Sequence, residues 1–207
     1  MADERPRRGL LVDFGGVLTT DVFLSFQAFC DAEGLSPDAV AERFRGDPDA
    51  RELLADLETG KIDEAEFEPR FGKLLGIDDH DGLIERLFAQ MRPDPTMIGA
   101  VRAARRAGVR TGLISNSWGH RRYDRSQFPD LFHGWVISGE VGVRKPSPEI
   151  YALGAEAIGL PAGQCVFVDD LPGNLKPARE LGMATVHHRS AEETIAELER
   201  LLAVRLT

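Results

Sequence analysis

Short apolar runs alternate with amphipathic, helix-like stretches over most of the chain, and this pattern predicts an α/β fold. A strand is expected where a few apolar residues follow one another between turn residues. The predicted strands cover residues 9–14, 109–115, 135–138, 165–168 and 184–187. The predicted helices cover residues 96–107, 118–128, 146–158, 175–181 and 192–204. Such alternation is typical of a Rossmann-like, mostly parallel sheet with helices on both faces.

One long stretch interrupts the alternation directly after the first predicted strand. Residues 21–91 carry apolar positions at helical spacing and contain no convincing strand. We therefore predict a core domain of residues 1–18 and 93–207, with a helical cap domain, residues 19–92, inserted between its two parts. An insertion at this point would lie above the strand ends, where α/β sheets bind ligands.

Composition and charge narrow the range of partners. The chain has 207 residues, of which 43% are hydrophobic and 29% are charged, as expected of a globular protein with a sizeable core. Its net charge of −9 would repel nucleic acid at long range. A small phosphorylated substrate is still compatible with this charge, because a local cation or metal can reverse the field inside one cleft.

The cysteine content and the hydropathy pattern favour a cytoplasmic protein without a membrane partner. The two cysteines, Cys30 and Cys165, are far apart and are predicted to be buried apolar residues rather than a disulfide. The apolar stretch near the N-terminus is too short for a signal peptide, and no run reaches transmembrane length. A homodimer formed through an apolar cap surface is left open.

Four polar motifs follow predicted strands. They are Asp13-Phe14-Gly15-Gly16, Ser115-Asn116, Lys145 before Pro146, and Asp169-Asp170. Because the carboxyl ends of parallel strands meet at one edge of the sheet, these motifs are expected to converge on one crevice.

The chemistry of the four motifs is complementary. The Asp13 carboxylate could attack phosphorus or an activated carbon if a cation suppressed the repulsion. Carboxylate oxygens suit Mg²⁺, and a lysine would offset the clustered acids. Taken singly, each residue has an ordinary explanation as a helix cap, a turn residue or a solvated lysine. Their joint occurrence at strand ends favours an active site.

These motifs resemble the four motifs of the haloacid dehalogenase-like superfamily, and residues 21–91 resemble the helical C1 cap of its subfamily I. Two longer segments, Gly139–Pro146 and Asp169–Met183, are similar to the phosphatase-like N-terminal domain of soluble epoxide hydrolases. The resemblance implies a Mg²⁺-dependent phosphatase that acts on a small phosphorylated metabolite through an aspartyl-phosphate intermediate.

The resemblance also assigns roles to individual residues. It implies that Asp13 is the nucleophile and a metal ligand, and that Lys145 stabilises the nucleophile and the intermediate. The remaining implied metal ligands are the Gly15 carbonyl, Asp169 and Asp170, with Asp170 the more direct of the two acids. The implied substrate-binding residues are Ser115, Asn116 and Gly16.

Gly15 departs from the family pattern, in which phosphatases usually carry a second Asp that protonates the leaving group. Loss of such an acid typically lowers the rate by about 10²- to 10⁴-fold. Thr19, Thr20, Asp21 and His120 are the neighbouring candidates for a replacement, although Asp21 could equally cap the first cap helix. Two alternatives remain open: a 2-haloacid dehalogenase, which needs no second Asp, and a catalytically silent member that binds a metabolite or protein.

The sequence contains no recognisable code for the substrate. The cap arginines Arg43, Arg45, Arg51 and Arg70 could meet an anion, but exposed helix arginines are usually solvated. Trp118 and Tyr123 could line the cleft. The preferred interpretation is that they belong to a partly packed surface helix.

Overall fold

A five-stranded parallel sheet forms the centre of the computed structural model, which describes residues 6–119 and 123–206. The strands are β1 Gly9–Val12, β2 Arg110–Ser115, β3 Gly134–Ile137, β4 Cys165–Asp169 and β5 Ala184–His187. Their order in the sheet is β3-β2-β1-β4-β5, so β1 is the central strand. The predicted α/β class with a parallel, Rossmann-like sheet is confirmed.

The α-helices fall into an early group and a later group along the chain. The early helices are α1 Val22–Ala32, α2 Ala39–Gly46, α3 Pro48–Glu58, α4 Glu64–Leu75 and α5 Leu83–Leu87. The later helices are α6 Pro95–Arg106, α7 Phe128–Leu131, α8 Ser138–Val141, α9 Pro148–Ala157, α10 Pro172–Glu180 and α11 Ala191–Leu202.

The later helices cover both faces of the sheet. Successive side chains of a strand point to opposite faces, so Leu10 and Val12 of β1 belong to one apolar cluster and Leu11 to another. The cluster of Leu10 contains residues of α6, α7 and α11, and the cluster of Leu11 contains residues of α9 and α10. The continuous apolar run of β1 is therefore explained by burial on both sides.

The early helices have a hydrophobic cluster of their own. Its largest buried members are Phe67, Phe71, Leu53, Leu83 and Leu87. The segments by which the chain enters and leaves these helices run side by side. The Thr20 amide donates a hydrogen bond to the Arg92 carbonyl, and the Asp94 amide donates one to the Leu18 carbonyl, each at 2.8 Å. The division into a core of residues 1–18 and 93–207 and a cap of residues 19–92 stays a prediction.

The helix predicted over residues 118–128 is wrong. Gly119 has a φ of 91°, which no right-handed helix contains, and Asp124 caps a new turn by accepting a hydrogen bond from the Ser126 amide. Residues 120–122 of the predicted helix are outside the described residues. A 3₁₀ turn, Arg125–Gln127, and the short α7 follow instead. The structure also contains α8, which is too short to produce a helical period in the sequence.

Several local predictions can be checked directly. Asp21 caps α1 by accepting a hydrogen bond from the Phe23 amide at 2.7 Å, so its predicted capping role is confirmed. Cys30 and Cys165 are both free and buried, as predicted. None of the helices in the described ranges is long and apolar enough to span a membrane.

Candidate active site

The central strand delivers Asp13 to the carboxyl edge of the sheet. The Asp13 amide donates to the Val168 carbonyl at 2.9 Å, which continues the β1–β4 pairing past the end of β1. The residue is only 8% exposed. Its Oδ1 accepts hydrogen bonds from the Phe14 amide and from the Lys145 ammonium, both at 2.7 Å. The candidate nucleophile is therefore held in one orientation.

Lys145 is a buried cation between two carboxylates. It is 2% exposed, and its Nζ lies 2.7 Å from Asp13 Oδ1 and 2.7 Å from Asp169 Oδ2. Burial opposes the charged ammonium, but the two carboxylates outweigh it and raise the lysine pKa above its usual value. The ordinary explanation of Lys145 as a solvated loop cation is thus excluded.

Asn116 fixes the backbone that carries this lysine. Its Oδ1 accepts a hydrogen bond from the Lys145 amide at 2.8 Å, and its Nδ2 donates to the Lys145 carbonyl at 3.1 Å. The side-chain amide is therefore engaged with protein groups. Its contacts favour a positioning role over direct contact with a substrate.

The two acids after β4 have different surroundings. Asp169 is fully buried, and its oxygens accept hydrogen bonds from the Leu171 amide at 2.8 Å and from Asn174 Nδ2 at 3.0 Å, besides the contact with Lys145. Asp170 is partly exposed and lines the cavity described below. Burial, followed by repulsion from Asp169, raises the pKa of Asp170 to about 6.

The three acids form a cluster that one cation could bridge. Asp13, Asp169 and Asp170 each offer an oxygen, and these atoms all lie within 4.8 Å of one another. Burial is the main cause that raises the pKa of Asp13, and the two neighbouring carboxylates add to it, while Lys145 opposes the shift. Three carboxylates facing one ammonium leave a local excess of negative charge, which a divalent cation would relieve.

The glycine pair after Asp13 permits a close approach of the backbone to Asp170. Gly16 has a φ of 73°, and a Cβ added there would lie 2.4 Å from Asp170 Oδ2. The Gly16 amide donates to Thr19 Oγ1 at 3.0 Å, and Gly16 is not among the cavity-lining residues, so this geometry gives its predicted substrate contact no support. Gly15 does line the cavity, and a Cβ there would lie 3.0 Å from Val22 Cγ2.

β2 places Ser115 beside Asp13 in the same cavity. Ser115 is buried, and its Oγ lies 2.9 Å from the Tyr123 hydroxyl. Burial raises the pKa of Tyr123 well above its usual value, so the phenol keeps its proton. Tyr123 was considered as a cleft residue from the sequence, and the preferred interpretation, a surface helix, is wrong.

Glu58, at the end of α3, is a buried acid that the sequence analysis did not single out. It is 5% exposed and lines the cavity. Its Oε2 lies 2.6 Å from Arg144 Nη1 and accepts a hydrogen bond from Asn116 Nδ2 at 3.3 Å. Its carbonyl accepts a hydrogen bond from the Ser138 hydroxyl. Burial raises the pKa of Glu58 to about 7, against the opposing effects of Arg144, Lys145 and Asn116.

One signal in the sequence could have identified Glu58. It follows Leu54 by four positions, so the two side chains lie on the same face of α3, and both line the cavity. A lone acid on the otherwise apolar side of an amphipathic helix is unusual unless it has a partner.

The cavity between the early helices and the sheet edge has a volume of about 260 Å³. Its polar lining consists of the residues described above, which cluster at the sheet edge, with Glu58 contributed by α3. Its remaining wall is apolar and is contributed mainly by the early helices: Val22, Phe23, Phe26, Phe44, Leu54 and Phe88. Lys145 is the only Lys or Arg among the described lining residues, and Arg43, Arg45, Arg51 and Arg70 lie exposed elsewhere, as predicted.

Trp118 lies in the loop after β2 and completes the apolar wall. Its ring centroid is 5.1 Å from that of Phe88, 5.7 Å from Phe44 and 5.8 Å from Phe26. The indole therefore packs into the cluster of the early helices. His120, a further candidate from the sequence, is outside the described residues.

Comparison with known proteins supplies a family and several relatives. A family model for haloacid dehalogenase-like hydrolases matches residues 8–182. A bifunctional epoxide hydrolase 2 from Sus scrofa is 28% identical over 131 residues, which are 60% of this chain but 24% of that protein. A sesquiterpene phosphatase from Aspergillus oryzae is 28% identical over 158 residues, 73% of this chain and 80% of the relative. The chain thus spans about a quarter of the porcine relative.

A solved structure supports the fold. A HAD family enzyme from Bacteroides thetaiotaomicron, in complex with magnesium and inorganic phosphate, aligns with a TM-score of 0.64 and 23% identity. The alignment covers 88% of this chain and 94% of that one.

Proposed function

Because this chain belongs to the haloacid dehalogenase-like hydrolase family, we propose that it is a Mg²⁺-dependent phosphatase that acts through an aspartyl-phosphate intermediate. The observation that carries the proposal is the convergence of a buried lysine and three carboxylates at one edge of the sheet. Phosphoryl transfer needs a positioned nucleophile and cations that neutralise the phosphoryl charge. This arrangement can provide both.

Each polar residue of the cavity has its own role in the proposed reaction. Asp13 attacks phosphorus, an Asp13–phosphorus bond forms, and the ester oxygen departs with the alcohol. Lys145 holds Asp13 in place and offsets the charge on the phosphoryl oxygens. The Tyr123 hydroxyl can donate to Ser115 Oγ, and the Ser115 hydroxyl, which donates a long hydrogen bond of 3.4 Å to the Asn116 carbonyl, can turn to a phosphoryl oxygen instead. Asn116 contributes by positioning Lys145.

The residues present fit a Mg²⁺ ion. Carboxylate and carbonyl oxygens are the ligands that Mg²⁺ prefers, and the proposed set is Asp13, the Gly15 carbonyl and Asp170. Asp169 would bind the ion directly or through a water molecule. The second arrangement is included because the Asp169 oxygens already accept hydrogen bonds from Lys145, Leu171 and Asn174. When bound, Mg²⁺ would supply charge neutralisation for the acidic cluster and the phosphoryl group.

The apolar wall favours a substrate whose alcohol part is apolar. A sugar hydroxyl facing Phe26, Phe44 and Phe88 would lose its hydrogen bonds with water without replacement. An aryl or prenyl group would instead bury its surface there. The similarity to a sesquiterpene phosphatase supports the same class of small phosphorylated metabolite.

A panel of substrates tests the proposal. Phosphate release from geranyl phosphate and glycerol 3-phosphate is measured with Mg²⁺ and with EDTA, and halide release is measured from chloroacetate. The Asp13→Asn variant is the control in each assay. We expect Mg²⁺-dependent phosphate release, with a higher kcat/KM for geranyl phosphate, and none from Asp13→Asn. Halide release without metal would support the dehalogenase alternative, with which Gly15 is compatible. Binding without turnover of any ester would support the silent alternative.

A further inference from the structure

The proposed reaction needs a proton donor that Gly15 cannot provide. An alkoxide is a poor leaving group unless a nearby acid protonates it as the bond to phosphorus breaks. Among the described residues that line the cavity, the titratable side chains are Asp13, Asp170, Lys145, Tyr123 and Glu58. Asp13 and Asp170 belong to the acidic cluster, and Lys145 is paired with that cluster. Tyr123 is a poor proton donor, because its burial opposes loss of the phenol proton. Glu58 is the remaining carboxyl group.

Glu58 and Asp13 line the same cavity from different elements. Glu58 belongs to α3, whereas Asp13 follows β1. In phosphoryl transfer the attacking and leaving oxygens lie roughly in line on opposite sides of phosphorus. A proton donor for the leaving oxygen must therefore come from a part of the cavity lining other than Asp13, and Glu58, on α3, meets that requirement.

The Glu58 carboxyl is held by two neighbours that leave one of its oxygens available. Arg144 Nη1 and Asn116 Nδ2 both contact Oε2, at 2.6 Å and 3.3 Å. No contact to Oε1 is present within residues 6–119 and 123–206. Through Asn116 the carboxyl is linked to the Lys145 backbone, so the proposed acid and the proposed nucleophile share one hydrogen-bonded network.

We propose that Glu58 is the general acid and base of this enzyme and takes the part of the missing second Asp; this inference rests on the proposed function. In the first step the Asp13–phosphorus bond forms, the phosphorus–alcohol oxygen bond breaks, and the Glu58 proton moves to the departing oxygen. In the second step Glu58 takes a proton from water, whose oxygen attacks phosphorus. The bond between phosphorus and Asp13 then breaks and inorganic phosphate departs. Glu58 remains in the site and carries the proton that it took from water.

The electrostatic surroundings of Glu58 suit both steps. Burial raises its pKa to about 7, while Arg144, then Lys145 and the Asn116 hydrogen bond, hold it lower than burial alone would. Within residues 6–119 and 123–206, Tyr123 also interacts electrostatically with Glu58. A pKa near neutrality allows one carboxyl group to donate a proton and then accept one at the same pH.

Two variants separate an acid–base role from a merely structural ion pair. Glu58→Gln and Arg144→Met both remove the ion pair between Glu58 and Arg144, but only the first removes the titratable group. Each is compared with the wild type on p-nitrophenyl phosphate, which has a good leaving group, and on an alkyl phosphate. Thermal melting and circular dichroism verify that both variants are folded.

We expect Glu58→Gln to lower turnover of the alkyl phosphate by about 10²- to 10⁴-fold. On p-nitrophenyl phosphate it releases a burst of p-nitrophenol and then turns over slowly, because the second step lacks its base. Arg144→Met keeps most of its activity. Since Arg144 lowers the pKa of Glu58, this variant moves the alkaline fall of kcat/KM to higher pH.

Two results would overturn the inference while leaving the proposed function intact. One is wild-type turnover of the alkyl phosphate by Glu58→Gln. The other is an equal loss in both variants on both substrates, which would mean that the ion pair only holds α3 in place. If the wild type itself hydrolyses neither ester with Mg²⁺, the proposed function and this inference fail together.

Discussion

Lys145 is the residue on which the electrostatic balance of the site depends. It is the buried cation between Asp13 and Asp169, and removing one partner of a buried ion pair leaves uncompensated charge. We expect Lys145→Met to lower the free energy of unfolding by about 3–5 kcal/mol. Lys176→Met is the control, because Lys176 is exposed and its weak pair with Glu180 contributes little. Urea denaturation of both variants without metal measures the difference, and equal stabilities would contradict the account.

Glu58 makes a separate prediction about stability and pH. Its folded-state pKa is raised from 4.5 to about 7, so the folded protein retains a proton that the unfolded chain has released between these values. The wild type therefore loses stability relative to Glu58→Gln as the pH rises from 4.5 to about 7. Denaturation curves at several pH values test this. Parallel pH profiles of the two proteins would mean that Glu58 is not perturbed.

At the scale of elements, the end of α3 is held against the segment that begins at β3. Gly60 follows Glu58 with a φ of 71°, and a Cβ there would lie 2.5 Å from the Gly139 carbonyl oxygen. Gly34 has a similar φ of 70° but no atom within 4 Å of its added Cβ. Gly34→Ala therefore tests backbone strain alone, whereas Gly60→Ala tests strain together with the close contact between two elements.

We expect Gly34→Ala to cost about 1–2 kcal/mol, which is the strain of the left-handed conformation alone. Gly60→Ala should cost more, and it should also lower turnover because the contact lies two residues from Glu58. Chemical denaturation and a phosphatase assay on both variants measure this. Equal effects of the two substitutions would show that the approach of Gly60 to Gly139 is unimportant.

The elements themselves were largely predictable from the sequence, for reasons that differ between them. β1 and β4 are buried on both faces and stand out as short apolar runs, and α11 shows a clear apolar stripe. The position of Trp118 was misread as helical, because its ring packs against Phe88 and Phe26 of distant helical segments rather than against a helical neighbour. Periodicity reports local geometry, and it cannot distinguish these two uses of an aromatic side chain.

At the scale of the whole molecule, the convergence of Asp13 and Asp169 follows from general properties of parallel sheets, because β1 and β4 are neighbours. Lys145 follows α8 and reaches the same edge through tertiary packing. Residues after adjacent parallel strands must meet, so strand ends alone indicated the site. Glu58 could not be found in this way. Its helical spacing from Leu54 indicates burial, but the approach of α3 to Asn116 and Arg144, which gives Glu58 its partners, is a tertiary contact that the spacing does not reveal.

A divalent cation should also stabilise the molecule as a whole. A ligand that binds only the folded state adds about 2.7 kcal/mol at one hundred times its Kd. We expect Mg²⁺ to raise the Tm of the wild type and to raise that of Asp170→Asn much less. Asp31→Asn, an exposed substitution on α1, should respond like the wild type. An undiminished shift in Asp170→Asn would remove Asp170 from the proposed ligands.

The central claim is that Asp13 forms a covalent bond to phosphorus, and rapid acid quench with a ³²P-labelled phosphate ester tests it most directly. The account predicts that label appears within the first turnover on the peptide that contains Asp13, is released by hydroxylamine, and persists longer in Glu58→Gln. Hydrolysis that proceeds without labelled protein, or with label retained by Asp13→Asn, would contradict the account.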